Sequence, residues 1–185
     1  MSEKTHHTAA VIIPPGEIWK PIQVIRARYD AKMARWMPHI TMAYPFRPRE
    51  EFDDLAKRLG EALAGIPSFT LELAQFHHFD HGQERYTLWL DTEPREPILR
   101  LHSAMMAATP DCDDVDKYEF GFTPHLSVGQ VRGREAMEQL RASLQARWHP
   151  LSFKVSELSL IWRGDPPDDV FRAANRVPLG GTSHE

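Results

Sequence analysis

The 185-residue sequence predicts an α+β protein of two pseudo-symmetric lobes, each an antiparallel-rich sheet with outer helices, around a central cleft. Three observations carry that expectation. The tripeptides "HIT" at 39–41 and "HLS" at 125–127 each follow a proline and each open a short apolar alternation. The segments around them recur in the same order in both halves of the chain, which marks an internal repeat. A Ser-Phe pair also heads a similar alternating segment in each half, at Ser68-Phe69 and at Ser152-Phe153.

The elements follow from the local patterns. The first half opens on an apolar β-like stretch at 9–13, continues into a helical stretch at 22–36, and reaches "MPHITMAYPF". An amphipathic helix at 49–65 follows, with apolar residues at three- and four-residue spacing, and then the alternating strand "PSFTLELAQF" from Pro67. In the second half the strand "RYTLWLDT", the helical "PILRLHSAMMAA" and "FTPHLSVGQV" take the same places. The helix "REAMEQLRASLQARW" and the strand "PLSFKVSELSLIW" complete it. His39 and His125 stand 86 positions apart, whereas Phe69 and Phe153 stand 84 apart, a difference that loop lengths absorb. We therefore expect one domain over 1–185, with repeats at about 9–80 and 84–164 and an irregular tail at 165–185.

Composition narrows the class. A chain that is 42% hydrophobic and 26% charged buries a sizeable core and is not a disordered one. The run "AAVIIPP" is too short to cross a bilayer and lacks the flanks of a secretory signal, so a cytoplasmic protein with no membrane partner is expected. A single cysteine, Cys112, excludes an intrachain disulfide framework and a thiolate metal cluster. The formal charge of -4 argues against a broad basic surface that coats nucleic acid, although it leaves room for a local phosphate pocket. We expect a monomer.

The repeated phrase carries the chemistry. Residues two apart on a strand share a face, so His39 projects with Thr41 and His125 with Ser127. Ile40 and Leu126, then Met42 and Val128, point into the core. Pro38 and Pro124 suit the start of a strand. If the two strands meet, one imidazole takes a proton while the other gives one, as in-line displacement at phosphorus requires. Thr41 and Ser127 donate hydrogen bonds to nonbridging phosphate oxygens. No cofactor and no metal is needed. A lone histidine on a strand is most often structural; the paired, repeated motif is what points to a site.

On "PHITMAYPF" and "PHLSVGQ" the chain resembles the 2H phosphoesterase superfamily, the family of bacterial 2',5' RNA ligase-like proteins and cyclic nucleotide phosphodiesterases. The resemblance runs from about Ala10 to about Leu179. It implies that His39 and His125 form the catalytic acid-base pair and that Thr41 and Ser127 bind phosphate. It also implies metal-independent hydrolysis of a 2',3'-cyclic phosphate or of a related cyclic or 2',5'-linked nucleotide or RNA phosphodiester. The same steps run backwards join RNA ends. The partner is then a nucleotide or an RNA end. The rival is a non-catalytic nucleotide- or RNA-binding module on the same fold.

Weaker signals surround these motifs. Tyr44, Phe46 and Trp162 are candidate substrate contacts through stacking, and Arg163 through a phosphate, against the ordinary role of such residues in a core. "HHFDH" at 77–81 invites a metal, but adjacent histidines on a strand diverge, so we expect a solvated loop. The acidic stretch "PDCDDVD" lacks the glycine and glutamate of a calcium loop and reads as a flexible loop or lid. The basic side chains Arg26, Arg28, Lys32 and Arg35 read as a solvated helix face that adds a local positive field.

Overall fold

Two strand-helix-strand-helix-strand-strand units make up the fold, and they are interlocked rather than placed side by side. The computed structural model describes residues 3–180; the last residues of the expected tail, 181–185, lie outside them. The first unit runs β1 (Thr8–Ile12), α1 (Trp19–Tyr29), β2 (Ile40–Ala43), α2 (Phe52–Leu63), β3 (Phe69–Leu73) and β4 (Phe76–Asp80). The second repeats that order as β5 (Arg85–Asp91), α3 (Arg95–Ala108), β6 (His125–Arg132), α4 (Arg134–Arg147), β7 (Leu151–Val155) and β8 (Glu157–Trp162). A ninth strand, β9 (Arg172–Pro178), follows.

The strands form three antiparallel sheets, ordered β2-β1-β8-β9, β4-β5-β6 and β3-β7. Each larger sheet is completed by the last strand of the opposite unit: β8 joins β1 and β2, while β4 joins β5 and β6. The small sheet pairs the two equivalent strands. Its register sets Phe69 against Val155, Thr70 against Lys154 and Leu71 against Phe153. Exchanging each residue for its repeat equivalent reproduces the same pairs, so a pseudo-twofold axis passes through Thr70 and Lys154.

Both motif strands carry the same irregularity. β1 sets Val11 against Thr41 and Ala10 against Ala43, so Met42 is the additional residue of a bulge. β5 sets Trp89 against Ser127 and Leu88 against Gly129, so Val128 is. Bulges turn a strand and re-aim its side chains, and here both fall directly after the hydroxyl residue. Ile40, Met42, Leu126 and Val128 are fully buried, in the expected parity. They belong to one continuous core shared by both units with Leu59, Leu71, Leu88 and Leu101. At about 1.5–3 kcal/mol for each large side chain taken from water, this burial holds both strands in register.

Three expectations need correction. The helix expected over 22–36 ends at Tyr29, because Asp30 leaves helical geometry (φ -107°, ψ 101°) and its carboxylate accepts from the backbone N-H of Lys32. The stretch 77–81, expected as a loop, lies largely on β4; Phe76 is buried, while His78, Phe79, Asp80 and His81 border the cleft. The tail at 165–185, expected as irregular, contains β9, which zips onto β8 through its backbone and buries Val177.

Candidate active site

Each motif histidine is held by the carbonyl two residues before it. His39 Nδ1 lies 2.7 Å from the carbonyl oxygen of Met37, and His125 Nδ1 lies 2.6 Å from that of Thr123. A carbonyl only accepts, so both rings carry hydrogen at Nδ1 and leave Nε2 free. Pro38 and Pro124, between each carbonyl and its histidine, donate no N-H of their own. His39, Thr41, His125 and Ser127 all line a single cleft of about 890 Å³. The bulged strands thus bring the two motifs, distant in sequence, to one space.

The two imidazoles differ in what surrounds them. The His39 ring stacks on Trp36 at 4.6 Å and 18°, and Trp36 stacks in turn on Phe171 at 3.8 Å. Arg26, fully enclosed, fixes the turn that carries Trp36 by donating to the Trp36 carbonyl at 2.8 Å and to Asp30 at 2.8 Å. On the other side, the His125 ring meets Phe79 edge-on at 4.8 Å and Trp89 at 5.6 Å. Asp91 stands directly across the ladder from His125. Its buried carboxylate accepts from Arg95 at 2.7 Å, and from its neighbour's backbone N-H at Thr92.

These surroundings set the proton affinities. Burial pushes His39 down from 6.5 to about 4, with the Arg26 guanidinium and His125 adding to the effect against the Met37 carbonyl and Asp30. Burial also lowers His125, but there the Thr123 carbonyl and the Asp91 carboxylate both oppose it. Both imidazoles are therefore neutral near pH 7, with the Asp91 carboxylate favouring the protonated form of His125 and the Arg26 guanidinium disfavouring that of His39.

The remaining sequence candidates fall in different places. Tyr44 lines the cleft and packs edge-on against Trp36 at 5.3 Å. Phe46 is fully buried beside Phe52, so the expected substrate contact gives way to a core position. Trp162 is not among the residues lining the cleft; the guanidinium groups of Arg49, at 3.6 Å, and Arg172, at 4.9 Å, lie over its ring. The Arg163 guanidinium lies over Phe171, behind the Trp36 stack, rather than in the cleft. His77 and His78 diverge on β4, His77 towards Trp89 and His78 towards Tyr86.

Other cleft residues carry no legible motif. Tyr118 and Phe120, 70% and 83% exposed, stand on the 109–124 loop at its rim, too exposed to be core. That loop's acidic groups act as fasteners: Asp111 pairs with Arg47, and Asp114 with Lys4. Phe79 and Trp36 were equally silent, one inside a histidine run and the other in an apparent helix.

Comparison with known proteins identifies the family and the fold. A protein of Geobacillus kaustophilus provisionally named a phosphoesterase is 33% identical over 125 residues, covering 65% of this chain and 66% of its own length. A similarly named protein of Bacillus licheniformis is 26% identical over 138 residues, covering 74% of this chain and 78% of its own length. The fold matches a Thermus thermophilus structure with a TM-score of 0.63 at 19% identity, over 96% of this chain and 99% of that one. It matches E. coli LigT complexed with 3'-AMP equally well, with a TM-score of 0.63 at 18% identity over 95% and 98%. No helix among the described residues is long and apolar enough to cross a membrane. The sequence matches the 2'-5' RNA ligase superfamily over residues 14–167, and the chain belongs to that family.

Proposed function

We infer that this protein is a phosphoesterase that opens a 2',3'-cyclic phosphate, or a related cyclic or 2',5'-linked nucleotide or RNA phosphodiester, by two-histidine acid-base catalysis. The observation that carries this is the matched pair of carbonyl contacts that leaves two free Nε2 atoms on one cleft. His39, neighboured by the Arg26 guanidinium that disfavours its protonated form, is assigned as the base: its Nε2 takes the proton of a water that attacks phosphorus. His125, with Asp91 across the ladder, is the acid and delivers a proton to the departing ribose oxygen. The substrate's own negative charge raises both imidazoles on binding and so favours the protonated form that the acid requires. Thr41 and Ser127 donate to the nonbridging oxygens, where charge accumulates in the transition state. Trp36, Phe79, Tyr118 and Phe120 offer faces for a nucleobase. The 3'-AMP bound by the like-folded LigT supports a nucleotide phosphate as ligand. With an RNA hydroxyl in place of water as nucleophile, the same proton transfers break the bond to the departing ribose oxygen and join the hydroxyl to the opened cyclic end.

The test is turnover of 2',3'-cyclic nucleotides, cyclic-ended RNA, ADP-ribose cyclic phosphate and 2',5'-oligoadenylate in the presence of EDTA. Activity that survives chelation and disappears in both His39→Ala and His125→Ala is the expected result. Activity retained by either variant sinks the two-histidine mechanism. Binding without turnover anywhere on the panel makes the protein a nucleotide-binding module.

A further inference from the structure

A row of basic side chains extends the sheet face that holds Ser127. On this face Trp89 is paired with Ser127, Thr87 with Gln130 and Arg85 with Arg132, in that order along β5 and β6. The adjoining strand adds Phe79 beside Thr87, while the backbone N-H of His81 bonds to the Arg85 carbonyl at 2.9 Å. Lys32 comes in from the turn after α1, and with His81, Arg85 and Arg132 it lines an open pocket of about 410 Å³. Lys32, His81, Thr87 and Gln130 line both this pocket and the catalytic cleft, so the two are continuous.

The charges in this row are arranged at a cost. Arg85 and Arg132 face each other directly across an antiparallel ladder, where like charges repel. Among the described residues, neither they nor Lys32 form an ion pair with a carboxylate, although acidic residues outnumber basic ones in the chain. A long contact of 3.5 Å from Arg85 to the His81 carbonyl is the side-chain bond Arg85 makes there. Such a cluster is relieved by an anion. From Trp89 to Arg85 the strand advances roughly 13 Å, farther than the phosphate of a single nucleotide at the catalytic histidines extends.

We propose that this basic row is a second anion subsite, which holds the phosphodiester backbone of a single-stranded RNA whose 3' end occupies the catalytic cleft. It rests on the phosphoesterase function inferred above and adds the substrate class: a polynucleotide end is favoured over a free mononucleotide. Guanidinium and ammonium groups on phosphates position a strand without reading its bases, so the preference is for length and not sequence.

The test is equilibrium binding, read by fluorescence anisotropy, of a labelled hexauridylate bearing a 3' phosphate, with unlabelled uridine 3'-monophosphate as competitor. Both substituted positions are exposed and lie outside the catalytic set. In an Arg85→Gln, Arg132→Gln double variant, hexamer affinity falls severalfold and the slope of log affinity against log salt shrinks by ~1.4, two single-strand phosphate contacts' worth. Mononucleotide affinity is unchanged, hexaadenylate suffers the same loss, and the Arg85→Lys, Arg132→Lys variant recovers most of the binding. The proposal is overturned if wild type does not bind the hexamer, if the double variant binds it like wild type, or if the mononucleotide weakens equally. Because binding is read without turnover, a wild type that binds the hexamer but cleaves no cyclic phosphate refutes the catalytic function alone.

Discussion

At the scale of single residues, the two motif histidines are distinguished by neighbours and not by their own geometry. Each is tied through Nδ1 to the carbonyl two positions back, so tautomer and aim are the same. What differs is the charge around each: Arg26 and Asp30 act in opposite directions on His39, whereas Asp91 acts on His125 with no cation opposing it among the causes of its shift. Replacing either histidine by asparagine is expected to lower turnover by about 10²- to 10⁴-fold, the usual worth of a positioned acid or base. Free-enzyme kcat/KM is expected to peak on the acid side of neutrality, since both imidazoles lie below 6.5 and His39 falls to about 4. An optimum above pH 8 would contradict this assignment. The same burial has a thermodynamic counterpart. Between about 4 and 6.5 the unfolded chain binds a proton at position 39 that the folded chain refuses, so stability is full above 6.5 and is lost as pH falls towards 4. Melting temperature followed over that range is expected to drop less steeply in His39→Phe than in wild type.

At the scale of elements, the site depends on how closely α1 approaches β6. A side-chain carbon at Gly129 would lie 2.5 Å from Tyr29 Cβ and 2.9 Å from the Tyr29 carbonyl oxygen, so only glycine lets the helix end seat there. Gln130 then reaches the following turn: its Oε1 accepts from the Ala31 N-H at 3.0 Å and its Nε2 donates to Asp30 at 3.2 Å. Gly129→Ala forces the helix end away and is expected to cost about 1–3 kcal/mol, as overpacking does. Because Arg26, Asp30 and Trp36 move with that helix end, kcat is expected to fall as well. Denaturant titration and turnover on the same variant check both effects; unchanged stability would show that the backbone yields freely at this point. The sequence made the histidine strands legible because each alternates cleanly and each occurs twice. It hid the end of α1, since 30–36 contains no glycine or proline and its break comes from one carboxylate turning back on the backbone. It hid β4 because the adjacent His77 and His78, on opposite faces, are both exposed, so no polar-apolar alternation marks the strand. β9 was illegible for another reason: only Val177 is buried in it, so no apolar alternation announces a strand held by its ladder.

At the scale of the whole molecule, the repeat in the sequence and the sheets in space divide the chain differently. Periodicity tells that a segment is a strand but not which strand it joins, and here the partners are exchanged: β8 completes the sheet of β1 and β2, and β4 that of β5 and β6. A cut in the exposed β4–β5 hairpin at 82–84 therefore leaves every sheet with strands from both sides of the break, through β1–β8, β3–β7 and β4–β5. The hairpin tip itself contributes little to packing, with Gly82, Gln83 and Glu84 all at positive φ and all exposed. Neither fragment alone closes a sheet over the shared core, because Leu71 and Leu88 belong to one cluster drawn from both units. A protease-specific cleavage site placed in this hairpin is thus expected to yield a nicked protein that co-elutes as one species under native conditions, keeps its circular dichroism and retains nucleotide binding. In denaturant the fragments separate, and each one isolated is expected to lack the cooperative unfolding transition that returns when they are mixed. A first fragment that unfolds cooperatively by itself would mean that the repeats are independent lobes. The cleft that holds both histidine motifs would then lie between two bodies free to move apart, instead of being fixed by strands that each unit lends the other.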